Sequence, residues 1–153
     1  MWGGRQLFAF IGGGAAGASI TLTGAADKHT FIIPFKCRPI RSGVTVTTVL
    51  SGAAVVAFDR QPAAGSATDR GDGDCGYITI PTTTAAGAVI YDKTNYSDDI
   101  VAGAGNWISS LNEGDAVVFE LVSAATSGAA VPWLIVEIDP EQPANNSAMT
   151  LTA

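Results

Sequence analysis

The stretch NEGDAVVFELVSAATSGAAVPWLIVEI, residues 112–138, decides the fold class of this chain. A polar turn at Asn112–Asp115 precedes a run whose side chains alternate between two faces, and this period of two predicts a strand over Ala116–Ser123. A second strand is expected over Val131–Ile138, after a connection of small residues at Ala124–Ala130. This last pair of strands is apolar on both faces, which is typical of strands that are covered on both sides. In an all-β protein the second cover is often another subunit.

Short β-branched and aromatic runs, separated by Gly, Pro, Ser and Asp clusters, recur along the rest of the chain. They predict further strands at Leu7–Ile11, Ser19–Thr23, His29–Cys37, Val44–Leu50, Ala53–Asp59, Tyr77–Ile80 and Ala88–Lys93. Pro34 cannot donate to a ladder, so the strand that contains it is expected to lie at a sheet edge or to bulge there. About nine or ten short strands without an amphipathic helix predict an all-β protein, a β-sandwich of jelly-roll-like type.

The length of 153 residues suits a single domain with a two-layer core. We expect an N-terminal arm with a Gly-rich hinge over residues 1–17 and one β-sandwich domain over residues 18–153. Glycine is the most flexible backbone, so the arm can move independently of its own subunit's core. The segment Gly12–Gly17 also fits the G-x-G-x-x-G pattern of a dinucleotide site, but a strand pattern and not a helix follows it, which favours the hinge.

The composition limits the kinds of partner. The net charge is −6, with eight Lys and Arg against fourteen Asp and Glu, whereas nucleic-acid binding depends on many cations that neutralise phosphates. We therefore expect no nucleic-acid partner. The chain is 47% hydrophobic and only 14% charged, and a monomer has difficulty hiding that much apolar surface, so oligomerisation or docking is favoured. Because the apolar part of the N-terminus, Leu7–Ile11, is short, we expect neither a membrane span nor an export signal.

Few residues are available for catalysis or metal binding. His29 is the one histidine, which cannot build a two-histidine metal site, and no G-x-S-x-G elbow exists. The Asp69–Asp74 segment holds three carboxylates and an Arg-Gly-Asp tripeptide, but it lacks the ligand spacing of a calcium loop, which favours a solvated acidic loop. Cys37 and Cys75 form a disulfide or, as the favoured alternative, stay reduced and partly buried. We therefore expect no enzyme activity, no cofactor and no metal.

Several stretches resemble small structural proteins of tailed bacteriophages. The similarity is carried by Gly114–Gly128, by Leu134–Asn146, by Val55–Ser66 and by the turn Ile80–Gly87. It covers about Val44 to Asn146 and leaves the N-terminal arm outside. These stretches are patterned strands and turns without catalytic motifs. Where their role is known, such proteins tend to be β-sandwich virion components, including decoration (cement) proteins that sit on the capsid lattice, commonly as trimers.

The resemblance implies a non-enzymatic decoration protein that binds the major capsid protein and stabilises the phage head. It implies assembly in the host cytoplasm, a place on the capsid surface of the virion, and a homo-oligomer, for which we expect a trimer with a dimer as the alternative. Large apolar side chains anchor interfaces. The interface candidates are Trp2, Leu7, Phe8, Phe10, Trp107, Trp133 and Ile135.

The alternative function is a carbohydrate- or receptor-binding β-sandwich of a phage tail or a cell surface. In that alternative, exposed aromatic side chains stack on sugar rings beside carboxylates. The residues concerned are Trp107, Tyr91 and Tyr96 with Asp98 and Asp99.

Overall fold

A computed structural model describes residues 6–13, 18–71, 73–92, 108 and 110–139. In order, the strands are β1 (Leu7–Ile11), β2 (Ile20–Thr21), β3 (Ala26–Ile32), β4 (Cys37–Ser51), β5 (Ala54–Gln61), β6 (Tyr77–Ile80), β7 (Val89–Tyr91), β8 (Ala116–Ser123) and β9 (Ser127–Ile138). One 3₁₀ turn, Ala67–Asp69, lies between β5 and β6. No helix within these ranges is long and apolar enough to cross a membrane.

The strands form two antiparallel sheets that pack against each other. The first sheet has five strands in the order β1-β9-β4-β7, with β2 also paired to β9. The second sheet has four strands in the order β3-β8-β5-β6. The prediction of an all-β sandwich is confirmed.

The core lies between the two sheets and comes from the alternating strands that the sequence singles out. On β8, Phe119 and Leu121 are fully buried, and on β9 so are Leu134 and Val136. The ring of Phe58 on β5 packs against Phe119 with centroids 5.2 Å apart. Strands β8 and β9 are both interior strands of their sheets, and each turns one apolar face to the core.

The predicted strand His29–Cys37 is wrong in its bounds. Strand β3 ends at Ile32, before Pro34, and Cys37 begins the next strand. After Ile32 the chain bonds to the turn before β8, because Ile33 N–H donates to the carbonyl of Asp115 at 2.9 Å. Proline has no N–H for a ladder, and the strand ends before Pro34, with a bend at Phe35. Strand β3 lies at an edge of its sheet, as one of the two expected alternatives.

Strand β9 begins earlier than predicted, at Ser127 and not at Val131. The small residues expected to form a connection belong to the strand, since Ala129 and Ala130 pair with both β4 and β2. Gly128 has φ +137°, and a Cβ there would lie 2.8 Å from Leu50 Cγ. Small residues are needed at the start of β9 because strands β2 and β4 of the same chain approach it closely on its two sides.

The N-terminal segment differs from the expected free arm. Residues Leu7–Ile11 form the predicted strand, and this strand pairs with β9 of the same chain from Leu7 opposite Glu137 to Ile11 opposite Trp133. The N–H of Gly12 donates to the carbonyl of Pro132 at 2.8 Å, and a Cβ at Gly12 would lie 2.8 Å from His29 Cδ2. The first hinge residue is thus closely packed, while residues 1–5 and 14–17 lie outside the described ranges.

Asp115 joins separate segments at the start of β8. Its buried carboxylate accepts hydrogen bonds from the backbone N–H groups of Asn112 at 2.9 Å and Ala63 at 3.1 Å, and from the Arg60 guanidinium at 2.8 Å. Burial acts to raise the pKa of Asp115, but these donors outweigh it and hold the pKa below its ordinary value. The carboxylate therefore fixes the turn before β8 to the end of β5.

Candidate interaction surface

The outer face of the first sheet carries an apolar depression. Because alternate residues of β9 fill the core, Trp133 and Ile135 between them face outward. The register continues this face onto β1, with Ile11 opposite Trp133 and Ala9 opposite Ile135. The depression has a volume of about 380 Å³ and is lined by Ala9, Ile11, Thr45, Val131, Trp133 and Ile135. We call this surface the outer face.

Large apolar side chains on the outer face are open to solvent. Leu7 and Ile11 of β1 are 59% and 65% exposed, and Val89 of β7, opposite Thr45, is 52% exposed. These residues extend the apolar surface from one edge of the sheet to the other. Contiguous exposed apolar patches of this kind mark interaction surfaces.

Trp133 takes its position because the residue opposite it is glycine. Gly43 of β4 is the register partner of Trp133, and a Cβ at Gly43 would lie 2.7 Å from the indole Cε2. The indole therefore packs directly against the backbone of β4 at Gly43. In this position the ring contributes a large, rigid apolar surface to the outer face.

Charged residues at the margin of the outer face are paired. The guanidinium of Arg41 lies over the ring of Tyr91, 4.7 Å from its centroid. Three residues earlier on β4, Arg38 donates to Glu137 at 3.0 Å. Because each of these charges already has a partner, bringing a second protein surface close to it costs less desolvation free energy. The arrangement therefore matches an apolar interface core with a polar rim.

The predicted interface residues divide into three groups. Leu7, Trp133 and Ile135 come together on the outer face. Phe8 and Phe10 point to the opposite side of β1, where both rings pack against Phe35, and Phe10 also contacts the core. Trp2 and Trp107 lie outside the described residues.

Sequence reasoning missed several members of the outer face. Ala9 and Ile11 could have been found, because the alternation of β1 puts them on the same face as Leu7. Gly43 and Thr45 could not, since their place depends on which strand pairs with β9, and local patterns do not specify strand neighbours.

The acidic loop after β5 is held together by its own hydrogen bonds. Asp69 accepts from the backbone N–H of Ser66 at 2.7 Å, which is the main reason why its pKa lies below the ordinary value. Arg70, the cation of the Arg-Gly-Asp tripeptide, donates to Asp27 at 2.7 Å and to Gln61 at 2.8 Å. Its guanidinium is thus already engaged within the chain, and Asp72 lies outside the described ranges.

The histidine and the cysteines have structural environments. His29 packs edge-on against Phe31 at 4.8 Å, and burial lowers its pKa. Cys37 and Cys75 are free and buried, as the favoured alternative predicted. Burial, followed by the negative charge of Asp115, raises the pKa of Cys37 to about 12, and burial also raises that of Cys75. Both thiols are therefore protonated at neutral pH and are not nucleophiles.

Comparison with known proteins adds no family to these observations. The chain matches no protein-family model, no curated protein and no solved structure. Within the described ranges, no group of three or more His, Cys, Asp or Glu side chains could hold a metal ion. The geometry that bears on function is therefore that of the outer face.

Proposed function

We propose that this protein is a non-enzymatic assembly protein that binds through the outer face, and specifically a decoration protein of a phage capsid. The apolar depression lined by Ile11, Trp133 and Ile135 is the observation that carries the proposal. A surface of this kind gains free energy when a second protein surface removes it from water, at about 25 cal/mol per Å² of apolar area.

The proposed role needs a rigid surface, and the sandwich supplies one. Trp133 and Ile135 lie on β9, which is paired on both sides, and the inward side of that strand is fixed by Leu134 and Val136 in the core. Side chains held by a packed sheet lose little further freedom on binding, so more of the apolar burial appears as affinity.

The virion role and the partners rest on the resemblance to phage structural proteins. The β-sandwich is the class of fold that this resemblance implies. On this proposal the chain assembles in the host cytoplasm as a homo-oligomer, for which a trimer is expected, and then binds the major capsid protein on the head. Specific interfaces bury about 800 Å² on each partner, so the outer face would form the centre of the interface and the paired charges its rim.

Co-sedimentation with capsids tests the proposal. Ile135→Lys places a charge in the middle of the outer face, and Ile32→Lys places the same charge on the second sheet, where Ile32 is 62% exposed. We expect wild type and Ile32→Lys to sediment with tailed-phage heads stripped of their decoration protein, and Ile135→Lys to bind at least roughly tenfold more weakly. Circular dichroism establishes that both variants are folded.

Two results would overturn the proposal. One is wild-type protein that stays in the supernatant with every head preparation, and the other is Ile135→Lys binding as tightly as wild type. The alternative of carbohydrate binding draws no support from the described residues, because Tyr91 is stacked under Arg41 and the other residues assigned to it lie outside the described ranges. Binding to a glycan array by the wild type would reverse that preference.

A further inference from the structure

Strand β1 forms an edge of the first sheet, and the residues described around it supply none of the usual protection against pairing. Among the described residues its one strand neighbour is β9. Natural proteins usually protect such edges with Lys, Pro or a β-bulge. The five residues of β1 include no charge and no proline, and their register with β9 is uninterrupted.

Hydrogen bonds at the two ends of β1 show which backbone groups face outward. Ile138 N–H donates to the carbonyl of Gln6, and Gly12 N–H donates to the carbonyl of Pro132. Backbone groups alternate in direction along an antiparallel strand, so the even-numbered residues of β1 bond to β9. The N–H and C=O groups of Leu7, Ala9 and Ile11 therefore point to the open edge.

The sequence of β1 is nearly symmetric about Ala9. It reads Leu-Phe-Ala-Phe-Ile, so an antiparallel copy of the strand meets it like with like. We infer that β1 pairs with β1 of a second copy of this chain, across a two-fold axis at Ala9. Leu7 then lies opposite Ile11 of the second copy, and Ala9 lies opposite Ala9 of the second copy.

The outward-facing backbone groups fit this register. The centre of the pairing is an odd-numbered residue, and the odd-numbered residues are those whose N–H and C=O groups point to the edge. Each odd-numbered facing pair, Ala9 with Ala9 and Leu7 with Ile11, therefore exchanges both of its backbone hydrogen bonds. Phe8 faces Phe10 of the second copy on the inner side, and aromatic cross-strand pairs of this kind stabilise sheets.

The charge distribution permits this contact between two copies. The chain has a net charge of −6, so two copies repel one another unless they meet where carboxylates are absent. Strand β1 is such a place. Because a two-fold axis normal to the sheet keeps the same face outward, the two depressions join into one apolar surface across Ala9. This contact joins copies in pairs and is distinct from a contact that closes a ring of three.

The two-fold axis makes Ala9 its own partner, which provides the test. Ala9→Lys and Ala9→Glu each place like charges opposite one another, and each should weaken self-association in sedimentation velocity on the order of tenfold. An equimolar mixture of the two variants should recover association as a mixed pair. Ile32→Lys adds the same charge on the second sheet and should associate as wild type does.

The inference is overturned if Ala9→Lys and Ala9→Glu associate as wild type does, or if mixing them restores nothing. Ile135→Lys separates this contact from the proposed capsid binding, because Ile135 lies on β9, one strand in from the edge, and does not take part in the pairing of β1 with β1. Loss of capsid binding with pairs retained would support both proposals. If a charge variant of Ala9 no longer pairs but still binds capsids, the proposed function stands. The effect of the substitution is then limited to the pairing of β1.

Cross-linking gives a second measurement that needs no change of charge. In the proposed register the two Ala9 Cα atoms lie about 5.5 Å apart, within the range of a disulfide. Native Cys37 and Cys75 are 1% and 0% exposed, so an introduced thiol is the one that an oxidant such as copper phenanthroline reaches. Ala9→Cys should give covalent dimers, whereas Leu7→Cys should not, because the two Leu7 Cα atoms lie about 14 Å apart. Equal cross-linking of both variants, or of neither, contradicts the register.

Discussion

The indole of Trp133 lies over Gly43, the residue directly opposite it on the neighbouring strand β4. No side chain other than hydrogen leaves room for the ring at this place. Trp133 lines the depression on the outer face, so the lack of a side chain on one strand determines the shape of a surface formed by another.

A double-mutant cycle measures this relationship. Gly43 does not have a positive φ, so alanine suits its backbone and the cost of Gly43→Ala comes from collision with the indole. We expect Gly43→Ala to lower the free energy of unfolding by about 1–3 kcal/mol in the wild type. In the Trp133→Ala background the same change should be neutral or stabilising by about 0.5 kcal/mol. Equal effects in the two backgrounds in urea titrations would show that the residues are not coupled.

Among the carboxylates, Asp115 should contribute most to the free energy of unfolding of the sandwich. Asp115→Ala leaves the N–H groups of Asn112 and Ala63 and the guanidinium of Arg60 without their acceptor, and should cost about 2–4 kcal/mol in urea unfolding. Asp69→Ala is the control, because Asp69 bonds to Ser66 within an exposed loop and should change the midpoint little. A similar loss in both variants would refute the special place of Asp115.

The free energy of unfolding should fall as the pH is lowered through the range in which His29 titrates. Burial lowers the pKa of His29 in the folded protein below its ordinary 6.5, so the unfolded chain binds the proton more readily. The contribution is fully present above about pH 6.5 and is lost as the pH falls through the folded pKa. We expect the urea midpoint to be lower at pH 5 than at pH 7.5 in the wild type.

His29→Gln should remove the loss of stability between pH 7.5 and pH 5. A second loss of stability should remain below about pH 4, where Asp115 with its lowered pKa becomes protonated. His29 is the one histidine of the chain, so the assignment is unambiguous. An unchanged dependence between pH 7.5 and 5 in His29→Gln would assign the step to another group.

The sequence predicts the strands that carry a strong local pattern. Strands β1, β6 and β8 have the predicted bounds because alternation or β-branched runs begin and end there with turn residues. The bounds of β3 and the start of β9 could not be predicted, since they depend on contacts between distant parts of the chain. Examples are the hydrogen bond from Ile33 to Asp115 and the pairing of Ala129 with β2 and β4.

The candidate site was only partly predictable for the same reason. Large apolar residues were recognisable as interface candidates, but the face on which each lies depends on strand pairing. Leu7 and Phe8 are neighbours of similar hydrophobicity, and pairing with β9 turns the first to the outer face and the second to the inner side.

Phe10 tests whether the N-terminal strand belongs to its own sandwich. Its ring lies 6.2 Å from that of Phe31 and 6.3 Å from that of Phe35. We expect Phe10→Ala to destabilise the isolated protein by about 2–3 kcal/mol, and Phe8→Ala, whose side chain is 43% exposed, to cost less. If thermal unfolding is unchanged in Phe10→Ala, the segment is the free arm that the glycine-rich sequence suggests.

On the proposed function, the apolar surface of the first sheet is an assembly surface of this chain. Ile11 and Ile32 are a matched pair for testing it, since they are 65% and 62% exposed and lie on different sheets. The measurement is the mass by light scattering at micromolar concentration of wild type, Ile11→Lys and Ile32→Lys. We expect wild type and Ile32→Lys to have a mass of two or more times 15.6 kDa, and the mass of Ile11→Lys to shift towards that of the monomer. A wild-type mass of 15.6 kDa, or the same mass for Ile11→Lys as for Ile32→Lys, would contradict the claim.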